Sequence, residues 1–219
     1  MTIDLRALIF DLDGVIADTN TPHCASWERL SREEQIPFSP LVYQRMMGLP
    51  RRACLDVFLD GRVVNEATVR DYLHRKNIYF LELLEAYTPD DAAPGIPELI
   101  REAREAGLKI GLGSSSQNAR LVLKKLDLYD QFDVIGDGNT VTRTKPAPDI
   151  FLWVAEQLGV SPHQAIVFED SQAGMAAARA GGFYVVAIGD DPGEADVRVP
   201  SLAGMTLERL ANEFAPAQR

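Results

Sequence analysis

The chain of 219 residues suits one medium domain, or one domain carrying an insertion, and its 46% apolar share is ample for a core. A net charge of −10 with no basic stretch to offset it excludes a nucleic-acid binder, and obliges any anionic substrate to find a locally positive pocket. Cys24 and Cys54 form no CxxC motif and are expected to be free thiols. The opening "MTIDLRALIF" is too short and too acidic for a signal peptide, and no apolar run approaches a membrane span. A cytoplasmic protein without membrane or nucleic-acid partners is expected.

In chain order, "RALIF" (6–10) is the first strand candidate. Residues 18–87 then break the pattern, with helical periodicity near 22–35, 40–47, 51–59 and 66–87 and no convincing strand. A return segment rich in Pro and acidic residues, "YTPDDAAPGIP", reads as a linker, with "VIADTN" as its outgoing counterpart. "PELIREAREAG" carries Leu99, Ile100 and Ala103 on one face and ends on Gly107. Further strands are "LKIGLG" (108–113), "FDVIG" (132–136), "AIVFE" (165–169) and "FYVVAIG" (183–189), each apolar nearly throughout, as both-face burial requires. The helix "APDIFLWVAEQLG" places Ile150, Phe151, Val154, Ala155 and Leu158 in a stripe closed by Gly159. The alternation predicts an α/β fold: a Rossmann-like parallel-sheet core (1–17 and 88–219) with an all-α helical cap (18–87) inserted after the first strand. Most apolar stripes are consumed by this core, so a monomer is expected.

Asp11 and Asp13 end the first strand, where open α/β sheets bind ligands. Residues i and i+2 of an extended segment point the same way, and Gly14 permits the turn that follows. Two such carboxylates either cap the turn or share a divalent cation. "AIVFEDS" repeats the theme with Glu169 and Asp170, although Asp170 or Ser171 can also cap the next helix. Two acidic strand ends in one sheet favour a metal. "GLGSSS" offers Ser114 and Ser115 as phosphate ligands at a helix N-terminus. "TKPAPDIF" sets Lys145 before Pro146, with the proline expected at the first helical position. A lysine there opposes the helix dipole, so it either faces a bound anion or lies solvated at the surface.

"DLDGV", "GSSS", "TKPAPDIF" and "FEDSQAGMAAARAGG", in this order, resemble the haloacid dehalogenase superfamily over nearly the whole chain. That resemblance implies Asp11 as the nucleophile forming an aspartyl-phosphate, and Asp13 as general acid and base. It implies Mg²⁺ held by an Asp11 carboxylate oxygen, the Asp13 backbone carbonyl and Asp170, with Glu169 assisting, and the transferring phosphoryl group bound by Ser114 and Lys145. An acid at position 13 is the mark of phosphatases and phosphomutases, whose leaving oxygen needs a proton.

The helix around "EATVRDYLHRKNIYFLELLEAY" has a stripe of Val69, Tyr72, Leu73, Phe80, Leu83, Leu84 and Tyr87. Lys76 falls on that stripe, and either snorkels out or points into the cleft toward Asp13 or a substrate phosphate. His23 and Trp27, four apart, are either packing or site residues, and "MGLPRRA" supplies Arg51 and Arg52 after Gly48. "DTNTPHCASW", "MGLPRR", "HRKN" and "SSSQN" look like the β-phosphoglucomutase subfamily. By that resemblance His23 and Lys76 position Asp13. Arg51, Ser116 and Asn118 bind a distal phosphate, and Trp27 and Gly48 line a sugar site. Gln117 and Pro50 depart from the lysine and serine common there. The implied activity is interconversion of β-D-glucose 1-phosphate and D-glucose 6-phosphate through glucose 1,6-bisphosphate. A sugar-phosphate phosphatase is the rival, and a catalytically silent phosphosugar sensor the third reading. His74 and His163 are expected at the surface.

Overall fold

All the expected strands form, and one more joins them, in the computed structural model, which describes residues 4–190 and 193–214. They are β1 (Ala7–Phe10), β2 (Lys109–Gly113), β3 (Val134–Gly136), β4 (Ala165–Glu169), β5 (Tyr184–Ile188) and β6 (Val197–Val199). Every neighbouring pair is parallel, in the order β3-β2-β1-β4-β5-β6. β6 escaped the sequence reading because it is three residues long and alternates buried and exposed around Arg198 at the sheet edge.

Four helices follow β1: α1 (Asn20–Glu34), α2 (Pro40–Gln44), α3 (Arg51–Leu59) and α4 (Glu66–Leu84). The rest of the chain supplies α5 (Ile96–Glu105), α6 (Ala119–Lys125), α7 (Asp149–Leu158), α8 (Gln172–Ala180) and α9 (Leu207–Glu213). Successive strand residues point to opposite faces. Leu8 and Phe10 pack with Leu99 and Ile100 of α5 and Val122 of α6. Ala7 and Ile9 pack with Phe151 and Val154 of α7 and Ala177 of α8. The sheet is thus covered on both faces, which explains its nearly unbroken apolar strands.

The cap helices have a core of their own, with Trp27, Leu30, Leu55, Phe58 and Tyr72 buried together. In α4, Val69, Tyr72, Phe80 and Leu84 are buried as expected, but Leu83 is 43% exposed. Leu84, one turn beyond Phe80, takes the inward position, and the helix stops there rather than at Tyr87. The two linkers lie side by side: the Ala93 N–H donates to the Ile16 carbonyl at 2.7 Å, and Ala17 bridges Ala92. No helix among the described residues is long and apolar enough to cross a membrane.

Two expected helix starts move. α7 begins at Asp149, so Pro146 precedes the helix instead of opening it. α6 begins at Ala119, so Ser114 and Ser115 sit in a turn ahead of it. Strand order runs outward in both directions from the β1–β4 pair, which makes the crevice beyond their carboxyl ends the topological switch point.

Candidate active site

β1 and β4 deliver four carboxylates to that crevice. Asp11 and Asp13 follow β1, Glu169 ends β4, and Asp170 comes next. Asp11, Glu169 and Asp170 each offer an oxygen within 4.8 Å of the others. Lys145 is driven among them: its Nζ lies 2.6 Å from Asp11 Oδ1 and 2.5 Å from Glu169 Oε1. Burial opposes the lysine's charge, but Asp11 and Glu169 outweigh it and hold the ammonium above the ordinary lysine range. Lys145 is therefore neither a solvated lysine nor a helix-terminal one.

Four carboxylates against one lysine leave excess negative charge. Burial, reinforced by Glu169 and Asp13, raises Asp11 from 3.8 to about 8. Burial with Glu169 and Asp11 raises Asp170 to about 9, and burial raises Asp13 against the opposing hydrogen bond from Thr19. Glu169 is already committed: its Oε2 accepts from the Asp170 N–H, the Ser171 N–H and the Ser171 hydroxyl, each at 2.9 Å. Ser171 also caps α8, accepting from the Gly174 N–H, which answers the capping question in favour of Ser171 over Asp170. Asp11 and Asp170 keep open lone pairs. These hard oxygen donors, short of positive charge, fit a divalent cation such as Mg²⁺.

Ser114 is buried and its hydroxyl accepts from the Ser116 N–H at 3.0 Å. Ser116 in turn accepts from the Asn118 N–H at 3.2 Å, so the turn is braced by its own hydroxyls. Ser115 points at the cap, donating to the Gly48 carbonyl at 2.9 Å. Gly48 has φ +74, and a Cβ there would lie 2.4 Å from Ser171 Oγ, so glycine permits the backbone of the cap to approach the core this closely.

The cap wall is cationic. Lys76 is 4% exposed and faces the cleft, with its Nζ 2.5 Å from His23 Nδ1. His23 stacks on Phe80 at 3.8 Å between ring centroids, and its Nε2 lies 3.7 Å from Asp13 Oδ1. Burial and the Lys76 charge hold His23 well below the ordinary histidine range, so the ring is neutral. A protonated Lys76 then donates to Nδ1, leaving the ring proton on Nε2, toward Asp13. Burial lowers Lys76 itself to about 7. Thr19, wholly buried, donates to Asp13 Oδ1 from the other side. Trp27 lines the cleft, with its ring centroid 5.5 Å from Lys76 Nζ.

Arg51 opens α3 and lines the cleft, whereas Arg52 turns outward to Asp56. Asn77 Oδ1 accepts from Arg51 Nη2 at 2.7 Å and from Asn118 Nδ2 at 2.9 Å, joining two cap helices to the core. Of the expected site residues, Asp11, Asp13, His23, Trp27, Gly48, Arg51, Lys76, Ser115 and Ser116 line one cleft, while Lys145, Glu169 and Asp170 lie beside Asp11, and Ser114 and Asn118 in the turn next to it. Thr19, Asn20, Tyr43 and Asn77 were not among those expected.

A family model for haloacid dehalogenase-like hydrolases matches residues 5–182. The chain belongs to this family. Among curated relatives, a β-phosphoglucomutase of Bacillus subtilis is 36% identical, covering 96% of both chains. A phosphorylated carbohydrates phosphatase of Thermotoga maritima is 30% identical, over 95% of this chain and 97% of its own. The crystal structure of a β-phosphoglucomutase from Clostridium difficile superposes with a TM-score of 0.92 at 32% identity, covering 96% of this chain and 97% of that one.

For a haloacid dehalogenase-like protein the chemistry available is narrow. Asp11 is a buried carboxyl beside a fixed ammonium, and Asp13 is a second carboxyl with a raised proton affinity held by Thr19. Two neighbouring carboxyls of this kind are the pairing that a nucleophile and a proton carrier require. Cys24 and Cys54 are free thiols: Cys54 is buried at the cleft wall, with Sγ 3.5 Å from the Met46 and Leu49 carbonyls, and Cys24 is half-buried. His74 and His163 are exposed.

Proposed function

We propose that the protein is a Mg²⁺-dependent phosphomutase acting on sugar phosphates, interconverting β-D-glucose 1-phosphate and D-glucose 6-phosphate through glucose 1,6-bisphosphate. The observation that carries the reading is the cap wall, where the Lys76–His23 pair faces Asp13 while Arg51 lines the same cleft. Cleavage of a simple ester needs one phosphate site; a bisphosphate that reorients needs a second cation held opposite the acids. The similarity to β-phosphoglucomutases supports the same reading.

In this reading an Asp11 carboxylate oxygen attacks phosphorus, the bond to the leaving oxygen breaks, and Asp13 gives that oxygen its proton. In the return step Asp13 takes a proton from the attacking sugar hydroxyl, and the Asp11–phosphorus bond breaks. Lys145 and Ser114 stabilise the transferring group, while Arg51, Ser116 and Asn118 hold the distal one. Asp11 and Asp170, with the Asp13 backbone carbonyl, hold Mg²⁺, and Glu169 fixes Lys145 and the Asp170 turn. Bound Mg²⁺ neutralises charge on the phosphoryl oxygens. Closure of the cap against Ser115 keeps water from the phosphoenzyme.

One observation favours hydrolysis instead: Gln117, in the cleft lining, is neutral where a second distal cation would strengthen bisphosphate binding. The test supplies β-glucose 1-phosphate with a trace of the bisphosphate and follows glucose 6-phosphate against free phosphate. Glucose 6-phosphate is expected to dominate; a predominance of free phosphate would replace the mutase reading with the phosphatase one.

A further inference from the structure

Asn20, the first residue of α1, donates from Nδ2 to Asp170 Oδ2 at 3.0 Å. Among the described residues it is the sole side-chain donor hydrogen-bonded to that carboxylate. Its other end is also occupied, since the Tyr43 hydroxyl on α2 donates to Asn20 Oδ1 at 3.1 Å. The Tyr43 hydroxyl at one end and the Asp170 carboxyl at the other hold the amide between them. Space for the contact comes from Gly14, where a Cβ would lie 1.9 Å from Asp170 Oδ2 and 2.6 Å from Asn20 Nδ2. Tyr43 lines the cleft beside Asp11 and Asp13.

We propose that Asn20 is a positioning residue for the cation site, and that Tyr43 sets Asn20, so that cation affinity is tied to the packing of α2 in the cap. Asn20 fixes the Asp170 carboxylate through one oxygen and leaves the other free to face the ion. An outer partner of this kind orients a ligand before the ion arrives, and losing one costs about 10–100-fold in metal affinity. The coupling is reciprocal: whatever the Tyr43–Asn20 contact adds to cation binding, the cation adds to that contact. The inference rests on the reading of Asp11 and Asp170 as cation ligands, and is independent of whether the enzyme is a mutase or a phosphatase.

The test is titration of the full chain with MgCl₂ alone, by calorimetry, for wild type, Asn20→Ala, Tyr43→Phe and the double variant. Asn20→Ala is expected to weaken Mg²⁺ by about 10-fold or more. Tyr43→Phe, isosteric and mild, is expected to weaken it by about threefold, and to weaken it no further once Asn20 is gone. Melting temperatures without Mg²⁺ should match wild type for Tyr43→Phe, while the Mg²⁺-induced rise shrinks. Unchanged affinity in either single variant overturns the proposal, as do losses that simply add in the double variant. Wild type that fails to bind Mg²⁺ overturns the cation-site reading itself and this proposal with it.

Discussion

Lys145 and Asp11 form a buried ion pair, Nζ to Oδ1 at 2.6 Å, with the lysine side chain 1% exposed. Glu169 shares the same ammonium at 2.5 Å, so one buried cation holds two carboxylates, and among the described residues no other side-chain cation pairs with them. Desolvating three charges is costly, and such a cluster is retained for what it positions more than for stability. It holds Asp11, the proposed nucleophile, at a fixed point beneath the cleft.

Lys145→Met is therefore expected to destabilise the protein by about 3–5 kcal/mol, because two carboxylates lose their buried partner. Turnover should fall by at least about 10²-fold, as when one preorganised donor is lost from a reacting site. Denaturant unfolding and steady-state kinetics check both. Wild-type stability in the variant would mean that the pair is not the shared buried cluster described above.

Lys76 carries the opposite expectation. Burial lowers it from 10.5 to about 7, so between those values the unfolded chain holds a proton that the folded chain lacks. Stability contributed at this position thus rises with pH across that window, and the penalty is complete below about 7. Lys76→Met should raise stability by on the order of a few kcal/mol at neutral pH and below, with the gain closing as pH approaches the lysine's ordinary value. Activity should drop, because His23 loses the donor to Nδ1 that sets its tautomer. Denaturant curves across pH decide the matter; a destabilised variant at low pH would contradict the burial penalty.

Residues whose burial follows from local periodicity were legible in the sequence, and those whose role depends on distant partners were not. The strand before Asp11 and the strand ending in Glu169 are apolar runs closed by acids, a pattern visible within a few residues. Lys145 was read as facing an anion because Pro146 suggested a helix start, which occurs instead at Asp149. Its position between Asp11 and Glu169 depends on three separate segments converging. Thr19, Asn20 and Asn77 are polar residues in or beside helices, where a solvated surface position is the ordinary outcome. Asn20 meets Asp170 across 150 residues of chain and Asn77 meets Asn118 across 41, contacts that no local pattern reveals.

The acid cluster predicts how Mg²⁺ acts with pH. Asp11 rises from 3.8 to about 8 and Asp170 from 3.8 to about 9. The stability each contributes is complete below 3.8 and is lost as pH climbs through the raised value. Bound Mg²⁺ takes the place of those protons, so its affinity and its effect on melting temperature should both grow from about pH 6 to about pH 9, then level off. The Lys76 contribution is common to samples with and without Mg²⁺ and drops out of the difference. Melting curves with and without MgCl₂ across that range check it. A Mg²⁺ effect independent of pH would show that the ion displaces no protons here.

Arg51 distinguishes binding from chemistry. Its guanidinium lines the cleft and is held by Asn77 at 2.7 Å, with no carboxylate among its described hydrogen-bond and ion-pair partners. A charge-assisted contact to a distal phosphate is worth about 1.5–3 kcal/mol, so Arg51→Ala should weaken use of glucose 1,6-bisphosphate by about 10–100-fold. Hydrolysis of a minimal ester such as p-nitrophenyl phosphate has no distal group to lose and should change little. Comparing kcat/KM for the two substrates measures the difference directly. Equal losses on both would mean that Arg51 acts on the transferring group or on cap closure, and would remove the distal-phosphate role from the mutase reading.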